Sequence, residues 1–250
     1  MNPVGPYTVL AHVYDYVMRG VPYELWAAYI VGILERYAPE ARRLVEFGCG
    51  TGSLALALEA YGYEVWGVDA SAAMLSVARA KAQVWGSQVR WVQADVRKLS
   101  GRALPKADVA LMLHDGLNYL LTTEELARAL RNMARCLWPG GVLLFDVSTP
   151  ENSRRHAHEL DEVVQNPDFT YRRLNTFESE KRLHRTRFEI YYEGSWWVEE
   201  HLERAYTQDE IDAVLGRLPE LTLLERWEEF THSSPGPDAE RLLYVARRTP

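Results

Sequence analysis

The 250-residue sequence has only two cysteines, Cys49 and Cys136, which lie far apart in different predicted elements. Such a pair provides neither a disulfide framework nor a cluster of metal ligands. The histidines His156 and His158 are close in sequence, but no further ligand pattern accompanies them, so we expect no metal site. The cysteines suit a reducing cytoplasm.

Long apolar segments are also missing. No run of 18 or more apolar residues occurs, and the N-terminal stretch MNPVGPYTVL has no charged start followed by a continuous apolar region. The sequence therefore gives no sign of export or of membrane insertion, and we expect a cytoplasmic location.

Blocks of like charge are absent as well. The 28 Lys and Arg residues and 35 Asp and Glu residues give a formal net charge of -7, with no five or six like charges in a row. Proteins that bind a nucleic-acid backbone usually carry a basic patch. DNA is thus not an expected partner, and RNA is disfavoured. With 47% hydrophobic and 25% charged residues, the chain has the composition of one large globular domain, residues 1–250.

The order of predicted elements indicates an α/β fold. Helical periodicity predicts two helices between Tyr7 and Tyr37, separated by a turn at Gly20 to Pro22. Strands and helices then alternate, which predicts a parallel sheet with helices on both faces. We expect a Rossmann-like, doubly wound sheet of seven mostly parallel strands, the last of them antiparallel. The predicted strands cover residues 44–47, 64–68, 89–94, 109–113, 142–147, 221–230 and 241–248.

The pattern changes after Pro150. Three stretches of alternating character between Phe169 and Tyr206 predict a three-stranded antiparallel meander, and Thr207 with acids after it predicts a helix start. We divide the domain into an N-terminal helical cap (1–40), a cofactor-binding core (41–150), a β insertion or lid (151–206) and a C-terminal part of the core (207–250). Exposed Trp196 and Trp197 would fit either a lid or a dimer surface.

Three closely spaced glycines follow the first strand of the core. At Gly48, Gly50 and Gly52 the missing side chains let backbone N–H groups at a helix N-terminus approach a ligand closely. Asp69 ends the next strand, where a carboxylate can accept both hydroxyls of a ribose. Nicotinamide dehydrogenases share these features, but Ser53 stands where their fingerprint has its last glycine.

Two further acids accompany the loop. Glu46 lies inside the strand end, two residues before the first glycine, and Asp95 follows the third strand, where it is placed to reach an adenine amino group. Together with the glycines, these acids predict a site for an adenosine-containing ligand.

Four motifs in this region resemble those of the class I S-adenosylmethionine-dependent methyltransferases. They are EFGCGTG, GVDAS with Met74, QADV and WPGGVLLFDV, in the family's order and spacing. The resemblance implies S-adenosylmethionine as cofactor and S-adenosylhomocysteine as product. It implies these cofactor-binding residues: Glu46 at the methionine end, Gly48, Cys49, Gly50 and Gly52 as the wall there, Asp69 at the ribose, Ala70 and Met74 on the adenine, and Asp95 and Val96 at its polar edge.

The fourth strand ends in LMLHDGLNYL, and ligands of such sheets bind beyond the carboxyl ends of the strands. His114 is therefore predicted beside the transferring methyl group, where it contacts the cofactor and could be a general base. Asp115, Asn118 and Tyr119 are predicted pocket residues. The alternative for each is a cap or a hydrogen-bonded wall residue.

The N-terminal stretch YTVLAHVYDYVMRGVPYELWAAYI resembles the start of small-molecule methyltransferases in which a Tyr-Asp helix covers the cofactor. The resemblance implies that Tyr14, Tyr23 and Trp26 line the cofactor or substrate pocket, where an aromatic face could favour a sulfonium charge. Tyr7 is in the same position. Alternatively, these aromatic residues only pack the helices onto the sheet.

We therefore expect a methyltransferase that acts on a small molecule by direct displacement, with alignment and exclusion of water as the main tasks. The Pro-Pro-aromatic motif of the family's DNA amino-methylating members and the Pro-Cys nucleophile of the cytosine-C5 type are missing. The open alternatives are methylation of tRNA or protein, a nicotinamide-dependent oxidoreductase and a non-catalytic cofactor-binding regulator. The sequence leaves the acceptor open, as well as the choice between monomer and homodimer.

Overall fold

A computed structural model describes residues 1–99, 104–157, 159 and 161–250, so His158 lies outside the described residues. The helices are α1 (Leu10–Val17), α2 (Tyr23–Tyr37), α3 (Ser53–Ala60), α4 (Ala72–Trp85), α5 (Thr123–Cys136), α6 (Pro150–His156) and α7 (Gln208–Leu215). The strands are β1 (Asn2–Val4), β2 (Arg43–Phe47), β3 (Glu64–Asp69), β4 (Arg90–Gln93), β5 (Ala107–Met112), β6 (Leu137–Ser148), β7 (Glu162–Gln165), β8 (Phe169–Glu178), β9 (Leu183–Tyr192), β10 (Ser195–Arg204), β11 (Leu221–Glu228) and β12 (Arg241–Arg248).

A central sheet of seven strands runs in the order β11-β12-β6-β5-β2-β3-β4. Strands β2 to β6 are parallel, whereas β12 is antiparallel to both β6 and β11. The predicted seven-stranded sheet with an antiparallel last strand is confirmed. Helices cover both faces: Leu130 of α5 packs in one apolar cluster, and Ile33 of α2 with Leu58 of α3 packs in the other. This two-sided burial explains the continuous apolar runs of the parallel strands.

The insertion forms part of a second sheet with the order β1-β10-β9-β8-β7. The predicted three-stranded antiparallel meander is confirmed as β8, β9 and β10, and β7 and the N-terminal β1 extend this sheet to five strands. Strand β1 pairs parallel to β10, with Asn2 beside Trp197 and Val4 beside Glu199. A three-residue strand whose partner lies almost the whole chain away leaves no local pattern to detect.

The carboxylate of Glu199 connects the second sheet to the N-terminal helix α1. Glu199 of β10 is 0% exposed, and its Oε1 accepts hydrogen bonds from the backbone N–H groups of Thr8, Val9 and Leu10 at 3.2, 2.6 and 2.9 Å. A helix N-terminus leaves its first N–H groups without partners inside the helix and favours negative charge. Glu199 therefore holds the start of α1 against the second sheet.

The two tryptophans of the insertion differ in environment. Trp196 is 42% exposed, whereas Trp197 is half-buried in the cluster between α1 and the second sheet and donates its indole N–H to the carbonyl of Tyr192 at 3.3 Å. The expected exposure of Trp197 is therefore wrong. Among the described helices, none is both long and apolar enough to cross a bilayer.

Candidate active site

A cavity of about 450 Å³ lies beyond the carboxyl ends of β2, β3, β4 and β5, and we name it the first cavity. This is the edge at which ligands of doubly wound sheets bind. The structure brings most of the predicted site residues to its wall. These are Glu46, Gly48, Cys49, Gly50, Asp69, Ala70, Met74, Asp95, Val96, His114, Tyr14, Tyr23, Trp26 and Tyr119.

The glycine loop and Asp69 hold each other in place. Gly48 and Gly50 have left-handed backbones, with φ of 65° and 54°, which glycine adopts without strain. One carboxylate oxygen of Asp69 accepts the N–H of Gly50 at 2.9 Å, and the other accepts the N–H of Ser71 at 2.8 Å. Burial nevertheless raises the pKa of Asp69, with these bonds acting against it. The acid thus fixes the loop at the cavity wall.

Gly52 does not line the first cavity, which corrects its predicted place in the wall. A Cβ atom added there would lie 2.3 Å from the indole of Trp91, and one added at Gly67 would lie 2.4 Å from the same ring. Both glycines therefore make room for Trp91. Gly52 is required by side-chain packing and by its left-handed φ of 78° at the start of α3.

Glu46 is a buried acid on the wall of the first cavity, 5% exposed. Burial, and next the negative charge of Asp69, raise the pKa of Glu46 to about 8. Its Oε2 atom has no hydrogen-bond partner among the described residues. A buried carboxyl oxygen without a partner is costly, so this position suits a ligand that brings a cationic donor.

Asp95 stands at the other acidic position of the wall. Hydrogen bonds from the guanidinium of Arg97 hold the pKa of Asp95 below its usual value, and the backbone N–H of Arg97 also donates to it at 2.9 Å. Arg97 is in turn bound to Glu125 at 3.0 Å. Asp95 is therefore an ionised, oriented acceptor, and its contact with adenine stays a prediction.

A second cavity, of about 340 Å³, lies between α1, the turn after β5 and the second sheet. It shares Tyr7, Tyr14, His114 and Tyr119 with the first cavity. Its remaining wall has an apolar part, with Leu10, Val17, Met18 and Phe188, and a polar part that includes Asp115, Asn152, Ser153, His156, Arg173, Asn175, His184, Thr186, His201, Glu203 and Arg241. The sequence predicts the insertion as a possible lid, but neither Glu203 nor Arg241 is among the predicted site residues.

His114 is placed where the two cavities meet. Its backbone N–H donates to Asp146 at 2.9 Å, and its ring packs edge-to-face against Trp26, with centroids 5.2 Å apart. Burial lowers the pKa of His114, and the charge of Arg241 acts in the same direction, against the opposing charge of Asp115. The imidazole is therefore neutral at pH 7, and its role as a base stays a prediction.

Asp115 lines the second cavity with a charge that is already paired. Its carboxylate accepts two hydrogen bonds from the guanidinium of Arg241, at 2.6 and 2.9 Å. Burial alone would raise the pKa of Asp115, but the attraction of Arg241 outweighs it and holds that pKa below the usual value. Arg241 also contacts Asp146 at 3.2 Å and Glu229 at 2.8 Å, so it ties the turn to β12.

Asn118 lines neither cavity, so its predicted place in the pocket is wrong. The side chain is 1% exposed and bound only to backbone: its amide donates to the carbonyls of Ser148 and Arg204 at 2.9 and 2.7 Å, and its oxygen accepts the N–H of Ser148 at 3.0 Å. Asn118 therefore joins the end of β6 to the end of β10. A strand-end position alone does not distinguish such a framework residue from a ligand contact.

Comparisons with known proteins agree with this site. Residues 44–141 match a family model described as a methyltransferase domain. A protein of Geobacillus sp. (strain WCH70), named as a methyltransferase without further specification, is 30% identical over 97% of this chain and 99% of its own. A dTDP-3-amino-3,4,6-trideoxy-alpha-D-glucopyranose N,N-dimethyltransferase of Streptomyces venezuelae is 32% identical over 54% of this chain and 56% of its own.

The fold has a counterpart among solved structures. A crystal structure of an S-adenosylmethionine-dependent methyltransferase from Clostridium acetobutylicum ATCC 824 superposes with a TM-score of 0.82 and 25% identity, covering 98% of this chain and 99% of that one. The chain belongs to the class I S-adenosylmethionine-dependent methyltransferases. It is a transferase whose cofactor is S-adenosylmethionine.

The residues of the first cavity fit this cofactor. The unpartnered oxygen of Glu46 can meet an ammonium, and the left-handed Gly48 and Gly50 expose backbone without side chains beside it. Asp69 and Asp95 supply carboxylate acceptors elsewhere on the same wall. The first cavity therefore offers a cationic subsite and hydrogen-bond acceptors, as a ligand made of adenosine and an amino acid requires.

Proposed function

We propose that this enzyme methylates an amine of a small molecule bound in the second cavity. The observation that carries the proposal is the shared wall: Tyr7, Tyr14, His114 and Tyr119 face both cavities. A donor in the first cavity and an acceptor in the second are thus neighbours at this junction. We also propose that the second sheet, with residues 151–206, acts as the lid of a single 1–250 domain.

The donor-side roles follow the walls of the first cavity. Glu46 binds the methionine ammonium, Asp69 accepts the ribose hydroxyls, and Asp95 with Val96 holds the adenine edge. When bound, S-adenosylmethionine supplies a methyl group on a positively charged sulfur. The chain contributes orientation and the exclusion of water, with the aromatic rings of Tyr14, Tyr23 and Trp26 closing the cavity.

An amine is favoured by the acid on the wall of the second cavity. Burial, and next the charge of Asp115, raise the pKa of Glu203 to about 8. A cationic amine beside Glu203 would relieve the cost of ionising this carboxyl. The Streptomyces venezuelae relative is named for an amino-sugar substrate, which is consistent with the same acceptor chemistry.

The RNA and protein alternatives are less well supported. A cavity of about 340 Å³ suits a small molecule, and the formal net charge of -7 disfavours a nucleic-acid track. A tRNA acceptor would need an electropositive surface beside the second cavity, whereas the Arg241 charge on its wall is bound to Asp115, Asp146 and Glu229.

The donor assignment can be tested by calorimetry with S-adenosylhomocysteine at pH 6.5 in buffers of different ionisation enthalpy. Because Glu46 is mostly protonated at that pH, binding of an ammonium beside it should release close to one proton. Glu46→Gln should abolish this release. Equal proton release by both proteins would contradict the assignment.

The acceptor assignment can be tested with labelled S-adenosylmethionine and a set of acceptors. We expect methyl transfer to amines, including the dTDP-linked 3-amino sugar of the Streptomyces venezuelae relative, and none to the hydroxyl analogue of the same sugar. Glu203→Gln should raise the KM for the amine and leave the affinity for S-adenosylhomocysteine unchanged. Transfer to bulk tRNA and to no amine would overturn the proposal.

A further inference from the structure

A line of hydrogen-bonding side chains leads away from the junction of the two cavities. The hydroxyls of Tyr7 and Tyr119 are 2.6 Å apart, and the hydroxyl of Tyr119 is 2.9 Å from Nδ1 of His201. On the far side of the imidazole, Nε2 lies 3.3 Å from Oε2 of Glu199, a close approach of the two groups without hydrogen-bond geometry. His201 and Glu199 are 2% and 0% exposed. The line therefore runs from the shared wall along the buried side of the second cavity to Glu199.

The first member of the line is held in an unfavourable backbone conformation. Tyr7 has a φ of 56°, which is an outlier for a bulky aromatic residue and costs backbone energy. Its carbonyl accepts the hydroxyl of Ser71 at 2.8 Å, and that hydroxyl also accepts the N–H of Met74 at the start of α4. Strained residues held by their surroundings cluster at functional sites. Tyr7 is thus fixed at the junction by the turn that follows Asp69.

The contacts indicate which group donates each hydrogen bond along the line. Burial raises the pKa of Tyr7 and of Tyr119 well above the usual value for a phenol, so both are neutral and each offers one donor and one acceptor. If Tyr119 donates to Nδ1 of His201, the ring proton lies on Nε2, which faces Glu199. Glu199 is therefore a positioning residue, since its other oxygen is held by the N-terminus of α1.

We propose that Tyr7, Tyr119 and His201 form a proton relay that deprotonates the acceptor amine, an inference that rests on the proposed function. The N–H bond of the bound ammonium breaks with its electron pair left on nitrogen, and Tyr7 Oη takes the proton. Tyr7 passes its own proton to Tyr119 Oη, and Tyr119 passes its own to Nδ1 of His201. The charge of the ammonium is thus transferred to the imidazole, and the proton returns to solvent by the same path after the product has left.

Two other readings of the same contacts make different predictions. Tyr119 also hydrogen-bonds to Glu203, which could receive the proton in place of His201. Alternatively, the line only fastens the second sheet to the core, since His201 and Glu199 belong to β10 and Tyr119 follows β5. The charged and titratable groups around His201 and Tyr7 include Glu199, Glu203, Tyr14, Tyr119, Asp69 and Asp115.

The first test needs no acceptor. Nitrogen-15 NMR of the free protein should show His201 as the Nε2–H tautomer, with Nδ1 as a hydrogen-bond acceptor, and Tyr119→Phe should shift the Nδ1 resonance. A proton on Nδ1 would overturn the relay whether or not any amine is methylated. This result is independent of the proposed function.

The second test distinguishes proton transfer from a purely structural role of these contacts, and it uses the dTDP-linked 3-amino sugar as acceptor. His201→Asn keeps a hydrogen-bonding side chain but cannot take up the proton, so kcat should fall by roughly 10² to 10⁴-fold while KM changes little. Tyr7→Phe should lower kcat similarly, and the affinity for S-adenosylhomocysteine should stay within a few-fold.

Unchanged kcat in His201→Asn would show that these contacts only hold the second sheet against the core. That result would overturn the proposal. A fall of kcat in Glu203→Gln that His201→Asn does not share would assign the proton to Glu203, with the same consequence. If the wild-type protein methylates no amine, the proposed function is contradicted, and the tautomer still decides whether the line has the direction that a relay requires.

Discussion

The two cavities meet at four side chains, yet they are built in different ways. The first cavity takes its acids and the glycines of its loop from Glu46 to Asp95, at the ends of successive strands of one sheet. The second draws on the N-terminal segment with α1, the turn after β5, α6, three strands of the second sheet and the start of β12. The donor site is thus encoded in contiguous motifs, whereas the acceptor site exists only after distant segments have assembled. Substitutions in the donor site and in the acceptor site should therefore affect different properties of the protein.

The largest expected effect is on the donor side and depends on pH. Because the folded-state pKa of Glu46 is about 8, above its usual value of 4.5, the folded protein binds more protons than the unfolded chain between these values, and stability falls as pH rises through this window. Glu46→Gln removes this loss. At pH 9 it should raise the free energy of unfolding by roughly 3 to 5 kcal/mol over wild type, and at pH 4 by little.

Urea unfolding of both proteins at several pH values measures this difference. Glu40→Gln, at an exposed position, is a matched control that should follow wild type throughout. If the free energy of unfolding changed with pH in the same way in wild type and in Glu46→Gln, burial would not raise the pKa of Glu46 as described.

The next effect is on the acceptor side. Glu199→Ala leaves three N–H groups at the start of α1 without their acceptor, so it should lower the free energy of unfolding by about 3 kcal/mol. Hydrogen exchange should speed up in α1 and β10 and stay slow in β2 and β3. Glu200→Ala changes the neighbouring, exposed residue of β10 and should cost under about 1 kcal/mol. An equal increase in hydrogen exchange in both sheets would contradict the expectation that Glu199 stabilises only the acceptor side.

A smaller effect distinguishes the two ends of the donor site. Asp69→Asn should weaken S-adenosylhomocysteine binding by roughly 10- to 100-fold, the scale of lost hydrogen bonds to a charged group. It should weaken the binding of 5′-methylthioadenosine, which has the ribose but no amino acid, to a similar degree. Glu46→Gln should weaken the first ligand and spare the second. Unchanged affinity of Asp69→Asn for both ligands, measured by calorimetry, would show that the ribose assignment is wrong.

The smallest effect is expected on the outer face of the second sheet. Trp196 is exposed and contacts Tyr191, with ring centroids 5.5 Å apart. Trp196→Ser should change the free energy of unfolding by about 0.5 kcal/mol or less. We expect an unchanged sedimentation coefficient. A shift from dimer to monomer would instead assign this face to a subunit contact.

The sequence predicts what each segment shows by itself. The central strands have apolar runs, and the start of α7 has a capping box in which Thr207 accepts the N–H of Glu210 and Glu210 accepts that of Thr207. The donor residues follow from motifs in which spacing fixes position. Strand β1, the packing role of Gly52 and the framework role of Asn118 could not be predicted, because each depends on a partner remote in sequence.

One signal for the acceptor side was present in the sequence. Glu199, His201 and Glu203 alternate along one strand, so they share a face. The structure directs this face toward α1 and the second cavity. The distances that join His201 to Tyr119 and Tyr7 required the assembled fold.

The position of β12 has a consequence for how the chain is made. This strand, the last in the sequence, lies between β6 and β11 and contributes Arg241 to the second cavity. A ribosome therefore releases the donor motifs long before the strand that completes the sheet beside β6. Until β12 has emerged from the ribosome, the nascent chain has a donor loop but an open sheet edge beside β6, and it is in this interval that we expect it to depend most on chaperones.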